Sequence, residues 1–268
     1  MKYLPRKYRE SQADWFGKRG IPWHIATAMR NSEGQLQMMT FVHIFQNCNQ
    51  DCVTVLAVVG DVLKQLKEVM PRLCRVHFRQ DNAGCYHSAS TLLAIHQVAK
   101  KYDINIRVDF SDPQGGKGSC DRKAATIKSH MRKYLNSGHD IETAEQMKNA
   151  IESSGGVPGV RVMLCGSQDN PKPAVLKWEG VSLINNIEYV NEGVRVWRSY
   201  AVGAGKFLPW SHFNLPEGYS VPVLNLLKDA TAPKAIFTAL TPRRESVQTQ
   251  QEEEQMALGQ CRRFRSIG

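Results

Sequence analysis

The chain has 268 residues, 42% of them hydrophobic and 22% charged, enough for one sizeable core and a small second unit. No stretch of about eighteen apolar residues exists, and the opening MKYLPRKYRE has no apolar segment behind its charges, so neither a membrane span nor a secretory signal is expected. The net charge of +10 favours polyanionic partners, because each neutralised phosphate releases counterions.

Residues 1–20 are polar and basic, with Lys2, Arg6, Lys7, Arg9, Lys18 and Arg19. From Ile21 the pattern changes. Residues 23–29 and 36–45 read as two strands joined by the turn Asn31-Ser32-Glu33-Gly34, a hairpin. Asp51 is placed to cap a helix reaching Val69, with Val55, Val58, Val59, Val62, Leu63 and Leu66 near helical spacing and Pro71 ending it. A short strand over residues 75–80 runs into Asp81-Asn82-Ala83-Gly84, followed by a helix over 88–101 and a strand over 104–110. The loop Asp112-Pro113-Gln114-Gly115-Gly116-Lys117-Gly118 then precedes helices over 119–135 and 141–152. Beyond Gly155-Gly156, residues 160–164, 176–178, 181–190 and 194–202 read as short strands of a small β-rich appendage (residues 156–227). Residues 228–268 lack apolar periodicity and are expected to form a mobile tail.

Seven scattered cysteines, an odd number, suit reduced thiols inside a cell. Cys48 with Cys52, and Cys85 with His87, are spaced like metal pairs, but neither has a second pair at zinc-site spacing, and buried free thiols are the simpler reading. Gly115-Gly116-Lys117-Gly118 lacks the spacing of a nucleotide phosphate loop. Single histidines such as His24, His87 and His130 suit core or surface roles. Trp15, Phe16 and Trp23 suit packing of the hairpin, although aromatics can also stack on bases.

Two carboxylates stand out. Asp81 follows directly on a short strand, where a side chain is rigidly held yet opens to a crevice. Asp121 comes forty residues later, in the first turn of a helix. At 100° per residue, Asp121, Lys128 and Arg132 fall within about 20° of one line, beside an apolar stripe of Ala124, Ile127, Met131 and Leu135. That helix can dock on a sheet while presenting one acid and two cations along its edge, an arrangement suited to a metal ligand followed by phosphate contacts. Two-metal nucleases need such converging carboxylates, which hold divalent ions roughly 4 Å apart. Each acid also has a plain structural role open to it: Asp81 as a turn residue or cap, Asp121 as a first-turn residue stabilised by the helix dipole. Asp109 or Asp112 could cap the same loop or replace Asp121 as a ligand.

The strand-end Asp81, the forty-residue spacing, Pro113-Gln114, Gly115-Gly116 and the acid opening a Lys-rich helix together resemble the DDE/D transposase and retroviral-integrase superfamily. More narrowly, the stretches Asp14-Trp15-Phe16-Gly17-Lys18-Arg19-Gly20, Trp23-His24 and Gly116-Lys117-Gly118-Ser119-Cys120-Asp121-Arg122-Lys123 resemble transposon-derived animal proteins. The resemblance covers residues 1–152. It implies an α/β fold of the ribonuclease-H-like kind, a mixed sheet with flanking helices, over residues 1–155. It further implies metal-dependent DNA cleavage and strand transfer with Mg²⁺ or Mn²⁺ at Asp81 and Asp121, DNA as partner, a nuclear location, and no membrane; homo-oligomerisation stays open. Lys117, Lys128 and Arg132 are the candidate nucleic-acid contacts. Asp121 stands where most integrase-like members carry Glu. The first catalytic carboxylate should lie in a strand ahead of the hairpin. Asp14 is the candidate in this chain, but it follows a polar stretch, and Met1-Lys2-Tyr3-Leu4-Pro5 looks instead like the tail of that first strand. The resemblance therefore leaves open an impaired nuclease, or a domesticated module that binds nucleic acid or protein without cutting.

Overall fold

The computed structural model describes residues 1–8, 20–111, 118–167, 176–215, 221–230 and 237–240. The chain is α/β, with two mixed sheets and four helices. Strands β2 (Ile21–Ser32) and β3 (Gln35–Phe45) form the hairpin. Glu33 and Gly34 close it with φ of 53° and 79°, the left-handed pair that a two-residue loop needs to match strand twist. Residues Lys2–Tyr3 (β1) pair antiparallel with the start of β2, and Trp23 N donates to Met1 O at 3.0 Å. The opening residues thus contribute a two-residue strand beside the hairpin.

Helix α1 (Cys52–Val69) starts at Asp51, whose Oδ1 accepts from Thr54 N. Strand β4 (Arg75–Gln80), helix α2 (Ala89–Lys100), strand β5 (Asn105–Phe110), helix α3 (Ser119–Asn136) and helix α4 (Ala144–Glu152) follow. The last helix begins three residues later than its apolar pattern suggests, because Thr143 and Gln146 cap it reciprocally.

The expected single sheet is not formed. The first sheet runs β1-β2-β3-β6-β10, where β6 is Val160–Cys165 and β10 is Leu226–Lys228. The second runs β4-β5-β7-β8-β9, where β7 is Asn186–Val190, β8 is Gly193–Trp197 and β9 is Lys206–Pro209. Among the described residues no strand joins β2 to β4. Past Pro22 the outer edge of β2 has no paired strand among them, and neither does the outer edge of β4.

Helix α1 holds the sheets together. Ala57, Val58, Val62 and Leu66 pack on Met39, Phe41 and Phe45 of the first sheet. Val55, Leu56, Val59 and Leu63 pack with α2 on the second. The opposite face of the first sheet is covered by α3 and α4, through Ala124, Ile127, Met131, Met147 and Ile151 against Trp23, Ile25, Val42 and Ile44. No helix of the described residues is long and apolar enough to cross a membrane.

The region expected as a separate β-rich appendage is built into both sheets. Strand β6 lies parallel to β3 with all six residues buried, the pattern of an interior strand. Strand β7 pairs with β5. Residues 176–178 are not a strand; Trp178 instead packs edge-on against Phe213 at 4.9 Å. Part of the expected tail also folds back: Thr238–Ala239 (β11) pairs with β3, Phe237 is only 5% exposed, and Arg30 lies 4.3 Å over its ring. Residues 241–268 lie outside the described residues. Truncating a buried Phe costs about 3 kcal/mol, so Phe237→Ala should lower stability by that order in urea unfolding. An unchanged midpoint would place residues 237–240 outside the folded core.

Candidate functional site

Strand β4 ends at Gln80 and hands the chain to an exposed turn. Asp81 Oδ1 accepts from Ala83 N at 3.1 Å, and Ala83 O accepts from Tyr86 N and His87 N at 2.9 and 3.0 Å. These bonds fix the turn that leads into α2, whose cap is Ser88. The carboxylate of Asp81 is therefore rigidly placed and solvent-facing, with one oxygen engaged by the turn.

Asp121 occupies the first turn of α3, and its Oδ2 accepts from Gly118 N at 3.0 Å. The start of this helix is docked on β2, where Thr27 Oγ1 shares hydrogen bonds with Ser119 Oγ (2.7 Å) and Cys120 Sγ (3.4 Å). Ala124, Ile127, Met131 and Leu135 are buried, as their spacing requires, and Asp121, Lys128 and Arg132 share the exposed side. Lys128 Nζ lies 5.9 Å from the Trp23 ring. Neighbouring Lys123 turns inward to donate to Pro158 O at 2.9 Å, and burial lowers its pKa.

Tyr86 follows the Asp81 turn. Its phenol pKa is pushed up by burial first, and further by the thiol of Cys85, the carboxylate of Asp81 and the thiol of Cys120, the residue before Asp121. Strand β2 meets both segments, with His24 6.2 Å from the Tyr86 ring and Thr27 bonded to Ser119 and Cys120. Among the described residues no group of three or more His, Cys, Asp or Glu is placed to hold a metal ion. Asp109 faces elsewhere, gripped by Arg107 through two bonds of 2.9 and 2.8 Å and by Asn186 at 2.7 Å. Asp14, Asp112 and Lys117 lie outside the described residues. Burial raises the pKa of the Cys48, Cys52 and Cys85 thiols, which favours the protonated form rather than a metal-binding thiolate.

A polar chain that no local pattern reveals lies behind the site. His43, fully buried on β3, donates from Nε2 to Asp61 Oδ2 at 2.8 Å, and Gln65 Nε2 donates to the same oxygen at 2.5 Å. Burial pushes the Asp61 carboxyl up, but the hydrogen bond and charge of His43 and the bond from Gln65 more than offset it, leaving the pKa below its usual value. His24, opposite His43 in the hairpin, lies 6.2 Å from the Tyr86 ring. Burial, then the charges of His43 and the amino terminus, lowers its pKa to about 3. The only signal in the sequence is a histidine at the same depth in each strand of the hairpin.

His24 has a testable consequence. It stays neutral in the folded protein down to about pH 3, whereas in the unfolded chain it binds a proton near its usual 6.5. Stability should therefore fall as pH drops through that interval. Burial lowers the pKa of His87 and His96 as well, so these contribute in the same direction. Urea unfolding between pH 7 and pH 4 should show a clearly shallower loss for His24→Gln than for the parent chain. Equal slopes would mean that His24 is hydrated in the folded state.

A family model described as "Domain of unknown function (DUF8701)" matches residues 3–173. The chain belongs to this family. The matched span includes Asp81, Asp121 and all four helices, and ends before β7. No curated protein matches the chain.

Proposed function

We propose that this DUF8701 chain is a DNA-binding protein of transposon descent, in which Asp81 and Asp121 are the two remaining positions of a DDE/D carboxylate set. The observation that carries this reading is that β2 meets both acid-bearing segments, His24 beside Tyr86 and Thr27 bonded to Ser119 and Cys120, with Asp121, Lys128 and Arg132 exposed along one side of a docked helix. An acid followed by two cations at two-turn and three-turn distances suits a phosphate backbone running along the helix. A ribonuclease-H-like ancestry accounts for the order hairpin, helix, strand, helix, strand, helix, and a nuclear location follows from a DNA partner.

Mg²⁺ or Mn²⁺ would be the metal of such a site, held by Asp81 and Asp121. Among the described residues no third carboxylate is grouped with them, and two alone fall short of the donor set that a pair of ions needs. The described residues therefore fit a binding module better than a strand transferase. A second reading, the active nuclease, needs a third carboxylate, for which Asp14 is the candidate.

Calorimetric titration with Mn²⁺ separates the two. The binding module should show no stoichiometric uptake, and its affinity for duplex DNA should survive Asp81→Asn. Stoichiometric Mn²⁺ binding abolished by Asp81→Asn, together with Mg²⁺-dependent nicking, would establish the nuclease instead. Lys128→Glu combined with Arg132→Glu should weaken duplex binding and flatten the plot of log K against log salt by about 1.8, roughly 0.9 for each phosphate no longer neutralised. A salt slope unchanged by the double substitution would remove α3 from the interface.

A further inference from the structure

Helices α1 and α2 cover one face of the second sheet, and the registers place a defined set of side chains on the other. Val76 and Phe78 of β4, Ile106 and Val108 of β5, Ile187 and Tyr189 of β7, Val194 and Val196 of β8, and Leu208 of β9 pack toward the helices. The alternate residues therefore face away. One row across the sheet reads His77, Arg107, Glu188, Arg195, Phe207; the next reads Arg79, Asp109, Asn186, Trp197.

Two aromatic rings on this side are coupled to guanidinium groups. The Arg107 guanidinium carbon lies 3.3 Å from the centre of the Tyr200 ring, and that of Arg195 lies 5.6 Å from the centre of Phe207. Both rings nevertheless remain well exposed, Tyr200 at 44% and Phe207 at 40%. The loop carrying Tyr200 is pinned in place: Arg195 Nη1 donates to Ala204 O at 2.9 Å, and Gly205, at φ +69°, lies so close that a Cβ would meet Trp197 at 2.5 Å. Beside it, Leu183, Ile184, Trp197 and Val202 line an apolar groove of about 480 Å³, with Lys206 and Arg198 at its rim.

The charge on this face is uneven. Asp109 is consumed by its two bonds to Arg107. Glu188 stands in register between Arg107 and Arg195. That leaves the outer strand β4, which carries Arg75 and Arg79 exposed and no acid, as a positive border. Exposed rings on a face with a cationic border are what a single-stranded polynucleotide requires: every base has a face to stack, and every linkage carries a negative charge.

We propose that the open face of the second sheet binds single-stranded nucleic acid, which crosses the strands from Arg75 and Arg79 at the β4 border, with bases stacking on Tyr200 near β5 and on Phe207 of β9. This surface is separate from the acid-bearing edge of α3 and needs no metal.

The test is fluorescence anisotropy of the full chain with labelled single-stranded 20-mers of DNA and of RNA, in EDTA. Tyr200→Ala and Phe207→Ala should each weaken binding between about fivefold and a hundredfold, the range for removing one stacking ring. Arg75→Glu with Arg79→Glu should flatten the salt dependence by about 1.4, at roughly 0.7 per phosphate on a single strand. All four side chains are at the surface, and circular dichroism should confirm that each variant is folded. Equal affinity for DNA and RNA would support stacking as the main interaction, and a preference for RNA would add recognition of the 2′-hydroxyl to it. Undiminished binding by both aromatic variants, or binding abolished only by Lys128→Glu with Arg132→Glu, would overturn the proposal. Because the assay excludes divalent ions and reads single strands, it can fail while duplex binding along α3 stands, and the reverse.

Discussion

Helix α1 is the constraint on which the rest of the molecule depends. Thirteen of its eighteen residues are buried, too many for one apolar stripe and enough for two. One stripe closes the core of the first sheet and the other closes the core of the second. Since no strand of the described residues connects the sheets, this helix is what fixes one against the other. The hydrogen bonds among Asp61, His43 and Gln65 add a directional restraint within the seam, because they are satisfied at a single rotation of the helix. Removing one partner would leave a buried charge uncompensated, a far larger penalty than the pair's own contribution to stability.

With α1 and α2 on one side, the two sheets differ in what covers the other. The first is closed by α3 and α4, and its central strand β3 is buried from Met38 to Phe45. The second is left open, and its strands alternate apolar and polar residues instead. Both candidate surfaces follow from this asymmetry. Asp121, Lys128 and Arg132 are exposed because α3 buries only one stripe on the first sheet. The arginines of β4 are exposed because, among the described residues, no helix packs above them.

Local patterns are legible in the sequence wherever a single physical rule governs them. Asp51 and Ser88 are caps because a short polar side chain meets a free backbone N–H there, and β4 occupies the residues that its alternation indicates. The exposed line of Asp121, Lys128 and Arg132 needs only helical spacing. Long-range pairing is not legible. Nothing local in Val160–Cys165 says that it lies parallel to β3, and nothing in Asn186–Val190 says that it closes on β5, so both read as parts of an appendage. Phe237 reads as part of a tail because a single buried ring has no periodicity to display. His24 and His43 carry no signal singly; only the hairpin register makes them neighbours.

The boundary of the family-matched span sharpens the contrast between the two surfaces. Residues 3–173 contain β4 and β5 but not β7, β8 or β9. A two-stranded sheet with one exposed face is marginal in water, so within this chain the later strands stabilise β4 and β5 by extending their sheet and burying Ile106 and Val108 more fully. The same strands bring Tyr200 and Phe207 beside the arginines of the open face. The α3 surface is complete within the matched span, whereas the open-sheet surface is assembled across its boundary. Stacking on the sheet would require the additional strands that follow residue 173 in this chain.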